Sequence, residues 1–132
     1  MKRLVFVFMA ILLTANLAVA QEEEEETGNK AVIAVTEQEH DFGRVPESGG
    51  KVSHTFTVKN TGTAPLVITR VIASCGCTTP TWTKEPIAPG KTGKVIVTYD
   101  PEGRPGTFTK SVSIFSNGKR GAYTLLIRGN VV

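Results

Sequence analysis

The chain has 132 residues, enough for one domain, and carries 15 lysines and arginines against 12 aspartates and glutamates. Lys2 and Arg3 belong to a predicted leader, so the charges of the remaining chain are nearly balanced, which argues against a nucleic-acid partner. Two cysteines and two histidines would all be consumed by a single four-ligand zinc site.

The amino terminus has the pattern of a secretory signal peptide. Residues 1–3 are positively charged, residues 4–13 are almost wholly apolar, and small residues precede a predicted cleavage after Ala20. The apolar run is too short to span a bilayer, and the absence of a cysteine near the cleavage point argues against lipid attachment. We therefore predict a signal peptide over residues 1–20 and a periplasmic or secreted protein without stable membrane insertion.

An unbroken run of glutamates, residues 22–26, follows the predicted cleavage point. These side chains repel one another and have nothing apolar to bury. The sequence thus predicts a solvated acidic tail over residues 21–30 and a folded domain over residues 31–132.

From residue 31 onward, short runs of β-branched and aromatic residues alternate with glycine, proline and asparagine turns, which predicts an all-β domain. The clearest strand alternates apolar and polar side chains over residues 52–59. Residues 65–73 are apolar in both phases, which favours a central strand. The predicted strands are residues 31–36 with 40–45 as one broken strand, then 52–59, 65–73, 94–99, 107–116 and 123–132.

The last two predicted strands form a hairpin around residues 117–121. An even number of loop residues would place Phe108, Val112 and Ile114 on the same face as the apolar side chains of the next strand. Lys110 interrupts that inner phase and is expected near a sheet edge.

About seven short strands in roughly 100 residues predict an immunoglobulin-like antiparallel β-sandwich. A small barrel is the alternative. The pair of cysteines that joins the two sheets in antibody domains is absent, because Cys75 and Cys77 are separated by one residue.

Cys75 and Cys77 form a Cys-x-Cys motif whose side chains project to the same side of an extended chain, as a disulfide or a metal-binding pair. A bridge requires the backbone to fold at Gly76, so Gly76→Val is expected to hinder its closure. A bridge closing so small a loop would add little stability and would be labile. Structural, thiol-redox and soft-metal roles all remain open at this point.

The hypothesis of a metal site has few candidate ligands. Cys75 and Cys77 with His40 and His54 would exhaust the cysteines and histidines, and their spacing does not fit a zinc finger. Two thiolates suit Cu(I), although the predicted mature chain has no methionine to assist. Strand phase places His54 on the apolar face, which predicts a packed histidine with one hydrogen bond.

Trp82, the one tryptophan, is expected to be a core anchor on which the cysteine loop packs. No glycine-framed nucleophile motif or phosphate-binding glycine loop occurs in the sequence. Enzymatic activity is therefore not predicted, and no cofactor is implied.

Several motifs together resemble the bacterial family called domain of unknown function 1573, over about residues 35–117. They are His40-Asp41-Phe42-Gly43, Asn60-Thr61-Gly62, Pro65-Leu66, Ser74-Cys75-Gly76-Cys77-Thr78, Trp82, residues 86–90 and Tyr99-Asp100-Pro101. The resemblance implies an immunoglobulin-like module similar to pilus-chaperone, major-sperm-protein and ciliary domains, common in exported proteins of the Bacteroidetes. It implies no activity.

These observations predict an exported, non-enzymatic module that binds another exported protein or a glycan through its loops or a strand edge. The alternative is a thiol-redox or copper-binding module that uses Cys75 and Cys77. Gly76 and Trp82 would then support the cysteine motif.

Overall fold

The computed structural model of the protein describes residues 30–119 and 121–132. The predicted signal peptide, residues 1–20, and residues 21–29 of the predicted tail lie outside them. The described part contains eight strands and no helix, and hence no helix that could cross a membrane. The strands are β1 (Ile33–Val35), β2 (Glu39–Val45), β3 (Val52–Asn60), β4 (Ile68–Ala73), β5 (Thr78–Trp82), β6 (Thr92–Tyr99), β7 (Gly106–Ser116) and β8 (Ala122–Val131).

The strands form two packed sheets of four strands, which confirms the predicted immunoglobulin-like sandwich. Sheet A has the order β1-β3-β6-β5 and sheet B the order β2-β8-β7-β4. All neighbours are antiparallel except β2 and β8, which run parallel. The chain crosses from sheet A to sheet B between β1 and β2 without reversing, so β2 keeps the direction of β1.

The predicted first strand is broken more completely than expected, because its two halves belong to different sheets. β1 pairs with the end of β3, whereas β2 pairs with β8. Residues 36–38 connect the sheets across one flank of the sandwich, which we call the β1–β2 flank. Strands that switch sheets in this way form the corners of sandwiches.

The core fills the space between the sheets as the alternating pattern predicts. On β3, Phe56 and Val58 are buried while the threonines between and beside them are exposed. On β6, Val95, Val97 and Tyr99 face the core. The inner side chains of β7 and β8, including Phe108, Val112, Ile114, Leu125 and Ile127, cover them from the other sheet.

The prediction that residues 65–73 form a central strand is wrong, because β4 is the last strand of sheet B. A β-bulge explains the misleading pattern. Ile68 lies opposite Ser116 and Arg70 opposite Phe115, so β4 advances two residues while β7 advances one. Ile68 and Val71 therefore both point inward, and Ile72 points to solvent.

β5 was not predicted, because its sequence combines the end of the cysteine motif with a proline. It pairs with β6 and forms the edge of sheet A. Pro80 has no N–H group to donate, and an edge strand tolerates this loss. β4 and β5 face each other across the second flank of the sandwich, the β4–β5 flank.

The final hairpin has the predicted register. Ile114 lies opposite Tyr123, and the Ser116 N–H donates to the Gly121 carbonyl, so an even number of residues connects the strands. Phe108, Val112 and Ile114 share the inner face. Lys110 lies on β7, an inner strand, so it is not on an edge strand as expected; however, β7 is paired with β4 only from Val112 onward.

Candidate functional site

The cysteine loop connects β4 to β5 across the β4–β5 flank. Cys75 and Cys77 are joined by a disulfide, with their Cα atoms 5.3 Å apart. The backbone turns as the bridge requires: the Thr78 N–H donates to the Cys75 carbonyl at 3.2 Å, and the Cys77 N–H donates to the Cys75 Sγ at 3.0 Å. The described part of the chain thus contains no free thiol.

Hydrogen bonds attach the cysteine loop to both sheets. The Ser74 N–H donates to the Ser111 carbonyl of sheet B at 2.9 Å, and the Asp100 N–H, directly after β6, donates to the Cys77 carbonyl at 2.9 Å. Cys77 is 4% exposed, whereas Cys75 is half-buried. A reductant would therefore reach the bridge at Cys75.

Gly76 does not have the expected steric role. It has no positive φ, and a Cβ atom at this position would meet nothing within 4 Å. The turn is compatible with a side chain there, so the expectation that Gly76→Val hinders closure loses its physical basis.

Trp82 packs against the core, as predicted, but at the far end of β5 from the cysteine loop. It lies opposite Val95, four residues along β5 from Thr78, which corresponds to about 13 Å. The Lys84 Nζ lies 3.1 Å from the centroid of the indole ring. The Trp82 Nε1 is buried without a hydrogen-bond partner. The tryptophan therefore supports the strand end and not the cysteine motif.

The two histidines lie on the opposite flank from the cysteines, so the four possible ligands are not brought together. His40 on β2 stacks on His54 on β3, with ring centroids 3.5 Å apart and planes 7° from parallel. His54 is half-buried and makes one hydrogen bond, from Nε2 to Glu37 Oε1 at 2.5 Å, as the sequence predicted.

Glu37 was missed by the sequence analysis because it lies in the irregular crossover between β1 and β2. The meeting of the two histidines, by contrast, had a signal in the sequence, namely the repeated His-x-Phe pattern of β2 and β3. His40 contacts Phe42 edge-on, and His54 contacts Phe56 edge-on, both at 4.7 Å between ring centroids.

Burial lowers the pKa of His40, and the neighbouring His54 adds to this effect, while the Glu37 and Asp41 carboxylates oppose it.

The outer face of sheet B carries an exposed apolar site beside the edge strand β4. Ile72 is 48% exposed, and together with Val132 it makes up the exposed large hydrophobic side chains of the described residues. Phe115 on β7 is half-buried and diagonal to Ile72, and the Arg70 guanidinium lies 4.3 Å from its ring centroid. We call Arg70, Ile72 and Phe115 the β4 edge surface.

Solved structures with the same fold share little sequence with this chain. A protein of unknown function from Porphyromonas gingivalis W83 superposes with a TM-score of 0.68 at 16% identity, covering 79% of this chain and 48% of that one. The VesB protease of Vibrio cholerae gives 0.61 at 22% identity, covering 78% and 32%. The ASH/PapD-like domain 7 of human CEP192 gives 0.63 at 10% identity, covering 78% and 87%.

These similarities establish the fold alone. The chain spans less than half the length of the first two of these structures, in which the shared sandwich is one part of a longer protein. No curated protein is similar enough in sequence to match. A family model described as "Protein of unknown function (DUF1573)" matches residues 33–131, which include all eight strands. The chain belongs to the DUF1573 family.

Proposed function

We propose that this protein is an exported, non-enzymatic binding module that holds another polypeptide along the edge strand β4. The observation that carries the proposal is the exposure of Ile72 on the last strand of sheet B. One edge of β4 pairs with β7, and no strand of the described chain pairs with the other edge. An extended peptide can add itself to such an edge through main-chain hydrogen bonds.

The β4 edge surface combines the features of a small recognition site. Ile72 offers apolar area, and Arg70 offers a cation beside the aromatic ring of Phe115. The bulge between Ile68 and Arg70 distorts the first part of the edge, which restricts pairing to residues 70–73. Bulges and edge charges of this kind also discourage indiscriminate sheet-to-sheet association.

Two observations support a non-enzymatic role. The one hydrogen bond made by a histidine side chain in the described part joins His54 to Glu37, and both cysteines are oxidised, so these residues form no pair of nucleophile and base.

A glycan partner is less well supported, because Lys84 covers one face of Trp82, the natural stacking platform for a sugar ring.

Site-specific photocrosslinking tests the proposal in cells that make the protein. Ile72→p-benzoylphenylalanine is expected to give a covalent adduct with a second polypeptide after irradiation. The yield of this adduct should fall when Arg70→Glu is added. Thr57→p-benzoylphenylalanine, on the exposed outer face of β3, is the matched control. Equal adducts at both positions, or none at position 72, would contradict the proposal. An adduct of two copies of this protein would show that the edge mediates self-association instead.

A further inference from the structure

The β1–β2 flank brings three potential metal ligands together from three separate elements. Glu37 lies in the crossover, His40 on β2 of sheet B and His54 on β3 of sheet A. One ligand atom from each residue lies within 4.8 Å of the other two. The cluster is independent of the cysteine loop and of the β4 edge surface, which belong to the opposite flank.

We propose that Glu37, His40 and His54 form a binding site for a divalent cation of the zinc type. Two imidazole nitrogens and one carboxylate oxygen are a donor set that zinc accepts, with a fourth position left for water or another ligand. Imidazole favours zinc, copper and nickel over magnesium and calcium, which prefer oxygen ligands. The proposed site would therefore select a borderline transition ion.

The ligand side chains must rearrange to receive the ion, because their ligand atoms lie up to 4.8 Å apart. Ligands of a tetrahedral zinc lie about 3.3 Å from one another when each is about 2.0–2.1 Å from the metal. The stacked rings of His40 and His54 send their nitrogen lone pairs along parallel planes, so each ring must turn for the lone pairs to converge. Phe42 and Phe56 contact the histidines edge-on and hold both rings at this flank.

A metal ion at this site would replace the hydrogen bond that now joins two of its ligands. His54 and Glu37 share a hydrogen bond between Nε2 and Oε1, and a cation placed between these atoms would take the position of its proton. Ligating histidines must be neutral.

Metal binding at this position would connect the two sheets where strand pairing does not. Strand β1 pairs with β3 only at Val58 and the two residues after it. His54 therefore lies beyond the end of that pairing. A cation held by Glu37, His40 and His54 would join the crossover, β2 and β3. Because this arrangement exists only in the folded protein, binding should also raise the melting temperature.

Zinc titration of the full, oxidised chain tests the inference. Calorimetry should show one zinc ion bound per chain, and both imidazole spin systems in the proton NMR spectrum should shift, since His40 and His54 are the only histidines. Glu37→Gln should weaken binding at least about tenfold, as should His40→Phe and His54→Phe, which keep an aromatic ring in place. Glu37 lies outside the strands, so its variant separates ligand loss from misfolding.

Glu39→Gln is the matched control. Glu39 is also exposed, two residues away, but its carboxylate pairs with the Arg128 Nε at 2.8 Å on the outer face of sheet B. Its substitution should leave zinc affinity unchanged. The inference fails if the imidazole signals do not move, if Glu39→Gln weakens binding as much as Glu37→Gln, or if the phenylalanine variants bind as tightly as the unaltered chain. The last result would show that the zinc is bound elsewhere in the chain.

Discussion

Asn60 is the buried polar side chain that ties together the loops at one end of the sandwich. Its Nδ2 donates to the carbonyls of Ala64 at 2.7 Å and Ile87 at 2.9 Å, and its Oδ1 accepts from the Gly62 N–H at 3.0 Å. The residue is fully buried. Buried polar groups are tolerated when all of their hydrogen bonds are made, and here they hold two separate turns against the end of β3.

We expect Asn60→Ala to destabilise the domain by about 3 kcal/mol, because it removes three hydrogen bonds made by a fully buried side chain. The Ala64 carbonyl loses its Asn60 donor, and the Ile87 carbonyl keeps only the Leu66 N–H. Denaturant unfolding would measure this loss of stability, and the slope of the unfolding free energy against denaturant concentration should stay the same in the variant. Asn117→Ala is the control, since Asn117 makes comparable bonds to Val67 and Pro65 but is exposed. Water can replace its bonds, so about 1 kcal/mol is expected. Equal losses for the two variants would show that burial does not govern the effect.

At the scale of elements, the Glu37–His40–His54 cluster and the cysteine loop both lie where the chain passes from one sheet to the other. The β1–β2 crossover positions Glu37 beside the two histidines, and the β4–β5 crossover contains the disulfide. Crossovers must bend irregularly, so their side chains are placed by the sheets on either side and not by a periodic pattern. Glu37 was missed for this reason, whereas Cys75 and Cys77 were indicated because they are two residues apart in the chain.

Reducing the disulfide is expected to change the free energy of unfolding by less than about 1.5 kcal/mol, because the closed loop is too short to restrict the unfolded chain strongly. Denaturant melts with and without reductant, combined with thiol counting by mass spectrometry, would measure this. Gly76→Val should leave the bridge formed, since open space surrounds that position. A loss of several kcal/mol on reduction would mean that the bridge is a structural staple of the β4–β5 flank.

The pattern of the strands was readable wherever one face is wet and the other dry. β3, β6 and β8 alternate regularly, as does β7 apart from Lys110, and the hairpin register followed from keeping their apolar side chains on one face. β4 and β5 were harder to predict for physical reasons. A bulge shifts the phase of β4 at Thr69, and Pro80 makes β5 unlike a strand until its edge position is known.

At the scale of the whole molecule, Lys30 is held to the folded domain, because its carbonyl accepts from the Thr63 N–H at 2.8 Å. We compare the chain of residues 21–132 with the chain of residues 30–132. Their free energies of unfolding are expected to differ by less than about 0.5 kcal/mol, as for typical surface changes. The reason is that residues 21–29 have few apolar groups to bury. Thermal and denaturant melts of both forms provide the measurement. A loss above about 1 kcal/mol would indicate that the glutamates dock on the domain.

The sequence by itself determined the fold class, most of the strands and the proximity of Cys75 to Cys77, because these depend on side-chain alternation, turn residues and short spacing along the chain. Only the tertiary structure decided that β4 is an edge, that Trp82 lies away from the cysteines, and that His40, His54 and Glu37 meet. Those facts depend on which strands become neighbours. In a sandwich that order arises from crossovers between sheets, and local sequence patterns do not specify it.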